Sequence, residues 1–242
     1  MDREQALQTG LAALGLDLGR VSQVRLIQYL DLLEHWNSTY NLTAIRDPQA
    51  MVPWHLLDSL AVVPYVHGSR VLDVGTGAGL PGIPLAIANP DMAISLLDGR
   101  RKRIQFLIQV VEVLGLDNVD IVHQRAEEFR PEKKFDTLVT RAFGALSKLL
   151  TEAGHLCRPG GTILALKGRN PQRELDQLPT EILEVVDVLP LQVPLLGAAR
   201  HLVILRPMPE DIAGTRVERP TEGSVTDHGE NRRSRQSKRG RG

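Results

Sequence analysis

The sequence predicts an α/β protein, a doubly wound and mostly parallel sheet with a helical extension in front. Three observations predict it. Short apolar runs alternate with helical patterns from Arg70 onward. A glycine-rich turn follows the first run. Residues 1–65 read as helices only.

In that leading segment Ser22 is placed to cap a helix. Its apolar positions Leu26, Tyr29, Leu30, Leu33 and Trp36 recur at spacings of three and four. Asp47-Pro48 is a second start signal, with proline at the first helical position. It introduces Met51 to Leu60, with Pro53 near the first turn and Pro64 closing the segment.

The sheet begins with Val71 to Val74, which runs into Gly75, Gly77 and Gly79. Leu80 to Ala88 suits a helix packed on a sheet. Ala93 to Asp98 is a second strand ending in an acid, and Arg100 to Leu114 a helix. That helix is expected to bury Ile104, Leu107, Ile108, Val111 and Leu114. Val119 to Val122 and Phe135 to Thr140 are the third and fourth strands, and Leu146 to Leu156 a helix. Pro159-Gly160-Gly161 turns into a fifth strand, Thr162 to Leu166. Glu184 to Leu189 and His201 to Arg206 close the sheet. The expected division is a helical cap at 1–66, a catalytic domain at 67–207 and a disordered basic tail at 208–242.

Composition narrows the classes. A hydrophobic content of 42% supports a core, and 4% aromatic content makes it aliphatic. The single cysteine, Cys157, excludes an internal disulfide and any multi-cysteine metal site. It is read as a buried small residue. No apolar stretch has the length of a signal peptide or a membrane span. A cytoplasmic monomer with no metal and no membrane contact is expected. The last twelve residues hold six of the 29 basic residues and no acid, leaving a net charge of −6 on residues 1–230. Such a tail suggests a polyanion nearby.

Strand, glycine turn and helix start together place unpaired N–H groups in the crevice at the strand's carboxyl end. Two ligands fit. Gly77, Gly79 and Gly82 satisfy the dinucleotide spacing, and Asp98 lies about 20 residues on. The strand, however, runs directly into Gly75. In that register Asp73-x-Gly75-x-Gly77-x-Gly79 resembles motif I of S-adenosylmethionine-dependent methyltransferases. Asp98 can accept from ribose hydroxyls of either cofactor, and Ala126-Glu127 lies where an adenine edge would be. Arg141 ends an apolar strand facing the crevice, where packing explains it poorly, and Lys167 ends the next strand. Both are candidate catalytic residues. Further cations, Arg100 to Arg103, Arg125, Arg169, Arg173 and Arg200, are expected to gather on the same face.

The closing strand pair resembles class I methyltransferases, whereas a dinucleotide enzyme usually adds a substrate domain. A closer resemblance rests on longer motifs. They are His35-Trp36-Asn37, Asn41-Leu42-Thr43, Arg46-Asp47-Pro48, His55 and Leu57-Asp58-Ser59, then the stretch Val74 to Ala86. Thr140-Arg141-Ala142-Phe143, Ala165-Leu166-Lys167-Gly168 and Arg200-His201-Leu202-Val203 extend it. Over about residues 5–206 the chain resembles the bacterial 16S rRNA guanine-N7 methyltransferase family, also called glucose-inhibited division protein B. The tail from Met208 lies outside the resemblance.

The resemblance implies methyl transfer from S-adenosylmethionine to N7 of one guanine, position 527 of small-subunit rRNA, free or in the small ribosomal subunit. It implies Gly75 and Leu80 at the methionine part, Ala126 and Glu127 at the adenine, and Arg141 at cofactor or target base. Asp73, Gly77, Gly79 and Asp98 complete the cofactor set. The chemistry agrees with what is missing. Guanine N7 has a free lone pair, so attack needs in-line placement rather than a base, and placement can supply roughly 7–11 kcal/mol. The chain has no Pro-Pro of an amino-methylating motif, and Cys157 is misplaced for cytosine C5 chemistry. An NAD(P) oxidoreductase and a noncatalytic RNA-binding module remain as alternatives.

Overall fold

Two helices open the chain in the computed structural model, which describes residues 1–178 and 183–208. α1 (Arg3–Leu14) starts at Asp2, whose side chain accepts from the Gln5 N–H while the Gln5 side chain accepts from the Asp2 N–H. Two free donors of the first turn are thereby satisfied. α2 (Arg20–Tyr40) buries Leu26, Tyr29, Leu30 and Leu33, the expected stripe. Ser22 does not cap it. The helix begins after Gly19, and the Ser22 hydroxyl donates to the Ile87 carbonyl across the chain.

α3 (Pro48–Met51) starts as expected, with the Asp47 side chain accepting from the Gln49 N–H. The following turn is wider than an α-helix over Val52–Leu57, and the Asp58 N–H donates back to Pro53 O. Such wide turns concentrate at functional sites. The segment ends as α4 (Asp58–Leu60).

The sheet has seven strands: β1 (Arg70–Val74), β2 (Ala93–Leu97), β3 (Val119–Val122), β4 (Phe135–Arg141), β5 (Cys157–Lys167), β6 (Leu183–Pro190) and β7 (His201–Pro207). Their spatial order is β3-β2-β1-β4-β5-β7-β6. The first five strands run parallel, and β7 is antiparallel to both of its neighbours. From β1 the chain builds outward to β3, then crosses to β4 on the other side. The crevice between β1 and β4 is therefore the topological switch point, where open α/β sheets bind ligands.

α5 (Gly82–Ala88) and α6 (Arg101–Leu114) cover one face, and α7 (Leu146–Ala153) the other. Successive β1 residues alternate between faces. Val71 joins the core of Leu30, Leu33, Ile83 and Phe106, whereas Leu72 and Val74 join Leu138, Leu149 and Ile163. The leading helices thus share one core with α5, α6 and the sheet.

Three further expectations need correction. α6 buries Ile104, Phe106, Leu107, Val110 and Leu114, while Ile108 is 51% exposed. Its buried face is turned because α6 packs on α2 as well as on the sheet, with Phe106 against Tyr29 and Trp36. β5 begins earlier, at Cys157, and the Pro-Gly-Gly stretch lies within it. Phe135 pairs with Cys157 but Thr137 with Thr162, so the intervening residues bulge. Gly161 must be small there, because a Cβ would lie 2.7 Å from Cys157 Sγ. The stretch from Gly154 to Leu156 after α7 is a tighter 3₁₀ turn. Of the expected tail at 208–242, everything from Pro209 on lies outside the described residues.

Candidate cofactor and target-base site

The glycine loop is held from three sides. The N–H groups of Gly75 and Thr76 both donate to Leu97 O, at 2.9 and 3.1 Å. Beneath it Asp73 is fully buried, and its Oδ2 accepts from Thr76 Oγ1 at 2.6 Å and from the Gly82 N–H at 2.7 Å. Burial pushes the Asp73 carboxyl up to about 6 against the pull of those two donors. From α2 the buried Tyr29 hydroxyl donates to Ala78 O at 2.7 Å. The leading helices therefore fix the loop as well as covering the sheet.

The glycines serve different ends. A Cβ on Gly79 would come within 2.5 Å of Ile83, and one on Gly82 within 2.2 Å of Leu96. Both are packing positions, so the third glycine of the dinucleotide spacing faces the core. Gly77, at φ 63°, is different: its Cβ would meet no atom closer than 3.8 Å. A ligand can approach the backbone there.

Asp98 receives the loop. Its Oδ2 accepts from the Gly77 N–H at 3.1 Å and from Arg103 Nη1 at 2.8 Å, and its Oδ1 from the Arg100 N–H at 2.8 Å. A carboxylate has about four acceptor sites, so one stays available for a hydroxyl. Gly75, Asp98, Ala126 and Glu127 line one cavity of about 270 Å³, with Arg100, Arg103 and Arg125 around it. This cavity, carrying an acid with spare capacity, fits a nucleoside cofactor; Gly77 is half-buried beside it, its N–H held by Asp98, and does not line it. Asp73, Gly79 and Leu80 lie beneath the loop, buried to at least 95% or packed against the core, and not in the cavity.

Arg141 and Lys167 line a second cavity, of about 480 Å³, with Trp54, His55, Asp58 and Arg200. Ala142 and Phe143 line both cavities and so form the partition between them. The partition turns sharply: Ala142 has φ 58° and Gly144 φ 107°. A non-glycine residue at positive φ is uncommon, and such strain clusters at functional sites. Phe143 lies across Gly75, 2.8 Å from where a Cβ would stand.

Arg141 Nη1 donates to Trp54 O and to Asp58 Oδ2, both at 2.9 Å. Lys167 Nζ donates to Gly144 O at 2.6 Å and to Glu174 Oε2 at 2.8 Å. His55 Nε2 lies 3.1 Å from Thr43 Oγ1, and the Thr43 N–H donates to Asn37 Oδ1. Burial first, and the Arg141 charge second, lower the His55 pKa to about 4. The ring is therefore neutral at neutral pH. Asn37, Thr43 and His55 came into view through the family motifs, and here they form one network that shapes the chain behind the cavity.

Sequence reading gave Asp58 no role, although an acid inside the apolar run Met51 to Leu60 was a signal. Arg101, Lys102, Arg169 and Arg173 line neither cavity. Among the described residues no cluster could hold a metal ion, and no helix is long and apolar enough to cross a membrane.

A parallel sheet with its switch point at a glycine loop, an acid after β2 and an antiparallel closing strand define a class I S-adenosylmethionine-dependent methyltransferase. Solved structures agree at the level of fold. The tRNA methyltransferase TrmI from Aquifex aeolicus gives a TM-score of 0.53 at 15% identity, covering 63% of this chain and 69% of that one. The N-methyltransferase NodS from Bradyrhizobium japonicum gives 0.51 at 16%, covering 68% and 100%. Within that class the chain belongs to the rRNA small subunit methyltransferase G family, whose model matches residues 22–203. A ribosomal RNA small subunit methyltransferase G from Nitrosococcus oceani is 50% identical, covering 84% of this chain and 95% of the relative. One from Laribacter hongkongensis is 47% identical, covering 85% and 99%. The dinucleotide reading is thereby set aside.

Proposed function

We propose that this protein methylates N7 of a single guanine of 16S rRNA, position 527 in the usual rRNA numbering, using S-adenosylmethionine. The observation that supports it most is the pair of adjoining cavities with a shared partition. The smaller suits a nucleoside cofactor, with Gly75, Gly77 and Asp98 at the sugar and methionine side and Ala126 and Glu127 at the adenine. The larger suits a flipped purine between Arg141, Lys167 and Trp54. Asp73, Gly79 and Leu80 act from below, by holding the loop's shape.

When bound, the cofactor supplies an electrophilic methyl group. The chain's own residues hold the acceptor in line and exclude water, because guanine N7 carries no proton to remove. The neutral His55 and the paired Arg141 are consistent with a site that positions rather than takes up a proton. The N-terminal residues 1–66 act as a cap fixing the loop, and residues 67–207 carry the chemistry. The protein works as a cytoplasmic monomer on rRNA or on the small subunit.

Radiolabelled methyl transfer to naked 16S rRNA and to isolated small subunits lacking the modification tests the reading. Label should map to that guanine, with strand scission under conditions specific for N7-methylguanine. Label elsewhere, or no label on either substrate, overturns it.

A further inference from the structure

The larger cavity contains a buried carboxylate, Asp58, to which neither the motif Leu57-Asp58-Ser59 nor the mechanism assigns a role. Asp58 is 1% exposed, and each of its oxygens is committed to a different guanidinium. Oδ2 accepts from Arg141 Nη1 at 2.9 Å, and Oδ1 from Arg200 Nε at 2.7 Å. The two arginines come from opposite sense strands, Arg141 at the end of β4 and Arg200 just before β7. No other described acid pairs with either of them by side chain.

The second arginine is held further. The Arg200 guanidinium carbon stands 4.9 Å from the centre of the Trp54 ring, a cation–π distance. Trp54 also supplies the carbonyl that receives Arg141. Trp54 and Asp58 both belong to the wide helical turn and its exit, so one irregular element organises both cations.

We propose that Asp58 is the positioning residue of the target pocket. Its carboxylate locks Arg141 and Arg200 at a fixed spacing and orientation, so that their guanidinium groups meet the target nucleotide as one preorganised wall. An arginine plane held flat can stack on a base or meet its acceptor edge. Two arginines without the carboxylate between them repel and swing toward solvent. The long arginine side chains would then be ordered anew at every binding event. The inference rests on assigning this cavity to the target base. It predicts that Asp58 acts on methyl transfer through other residues without touching the cofactor, since it lines only the larger cavity.

The test compares wild type, Asp58→Asn, Asp58→Glu, Arg200→Gln and the double variant Asp58→Asn/Arg200→Gln on small subunits lacking the methyl group. Wild type must methylate them; if it does not, the functional reading fails rather than this inference. Given that activity, Asp58→Asn should keep S-adenosylmethionine affinity within about threefold and lose methyl transfer by about 100-fold. Asp58→Glu retains the charge but moves it by one methylene, and should lose at least tenfold. Positioning requires the losses to be non-additive, so that Arg200→Gln has little further effect once Asp58 is gone. Asp58→Glu at wild-type activity, additive losses in the double variant, or a parallel loss of cofactor affinity would each overturn the proposal. If Asp58→Asn does not fold, Asp58→Glu still decides it, by its loss of methyl transfer at unchanged cofactor affinity.

Discussion

The Gly77 N–H donates to Asp98 Oδ2 at 3.1 Å, joining the loop after β1 to the end of β2. One hydrogen bond thus ties together the two elements that would hold the cofactor's amino-acid and sugar parts. It also presents the Gly77 backbone, at positive φ, to open space.

Gly77→Val should therefore abolish cofactor binding in a protein that still folds. The added Cβ meets no atom closer than 3.8 Å, and the left-handed backbone costs about 1–3 kcal/mol. Gly82→Ala should do the reverse, since its Cβ would stand 2.2 Å from Leu96 and 2.8 Å from Asp73 Oδ2. Overpacking of that kind costs about 1–3 kcal/mol. Isothermal titration with S-adenosylmethionine beside a denaturant melt separates the two. Unchanged affinity in a folded Gly77→Val variant would remove the loop from the site.

Arg141→Ala should lower methyl transfer by 100-fold or more with at most a modest loss of stability, because Arg200 still neutralises Asp58. Activity near wild type would leave Arg141 as a structural cation only.

His55 should leave a signature in the pH dependence of stability. Its folded pKa, about 4, lies below the ordinary value of 6.5. Between these values the unfolded chain binds the extra proton, so the contribution falls as pH drops from 6.5 toward 4. Each pH unit in that window is worth about 1.4 kcal/mol. Asp73 acts oppositely. Its folded pKa, about 6, is raised from 3.8, so the folded protein holds the extra proton and stability falls as pH rises from 3.8 to 6. In the wild type the two slopes largely cancel between pH 4 and 6. His55→Gln should uncover the Asp73 slope, giving a variant that becomes less stable as pH rises through that range. Urea melts at pH 4.5 and 6 would show it, and a flat profile in the variant would refute it.

Cys157 should resist alkylation in the native state. It is 2% exposed, and burial pushes its thiol up to about 12. Since the thiolate is the reacting form, iodoacetamide should label the chain only at the rate of unfolding. Rapid labelling of native protein would contradict the packing of β5.

The six basic residues of the C-terminal twelve should add a sequence-independent phosphate contribution to a body of net charge −6. Each phosphate they neutralise steepens the log–log salt dependence of binding by about 0.7–0.9. Removing residues 208–242 should weaken RNA binding at low salt and flatten that slope. The choice of guanine should not change, because phosphate contacts carry no base information. A truncated protein with the same slope would make the tail inert.

Local pattern decided the architecture. The run Val71 to Val74 before Gly75, the acid at Asp98, the stripe from Leu26 to Leu33 and the start at Asp47-Pro48 each depend on neighbours a few residues away, so one chain suffices to read them. Motifs also brought the family within reach. What only the tertiary structure decided depends on partners far apart in sequence. Ser22 spends its hydroxyl on Ile87 O, and α6 turns Ile108 outward because α2 packs against it. Asp73, Gly79 and Leu80 sit in the glycine motif, yet the fold puts them under the loop, since a tight turn must bury some of its own residues. Asp58 was a lone acid in an apolar run until the sheet brought Arg141 and Arg200 to its two oxygens. Sequence spacing fixes which side chains share an element; which elements meet around a buried charge is set by packing across the whole chain.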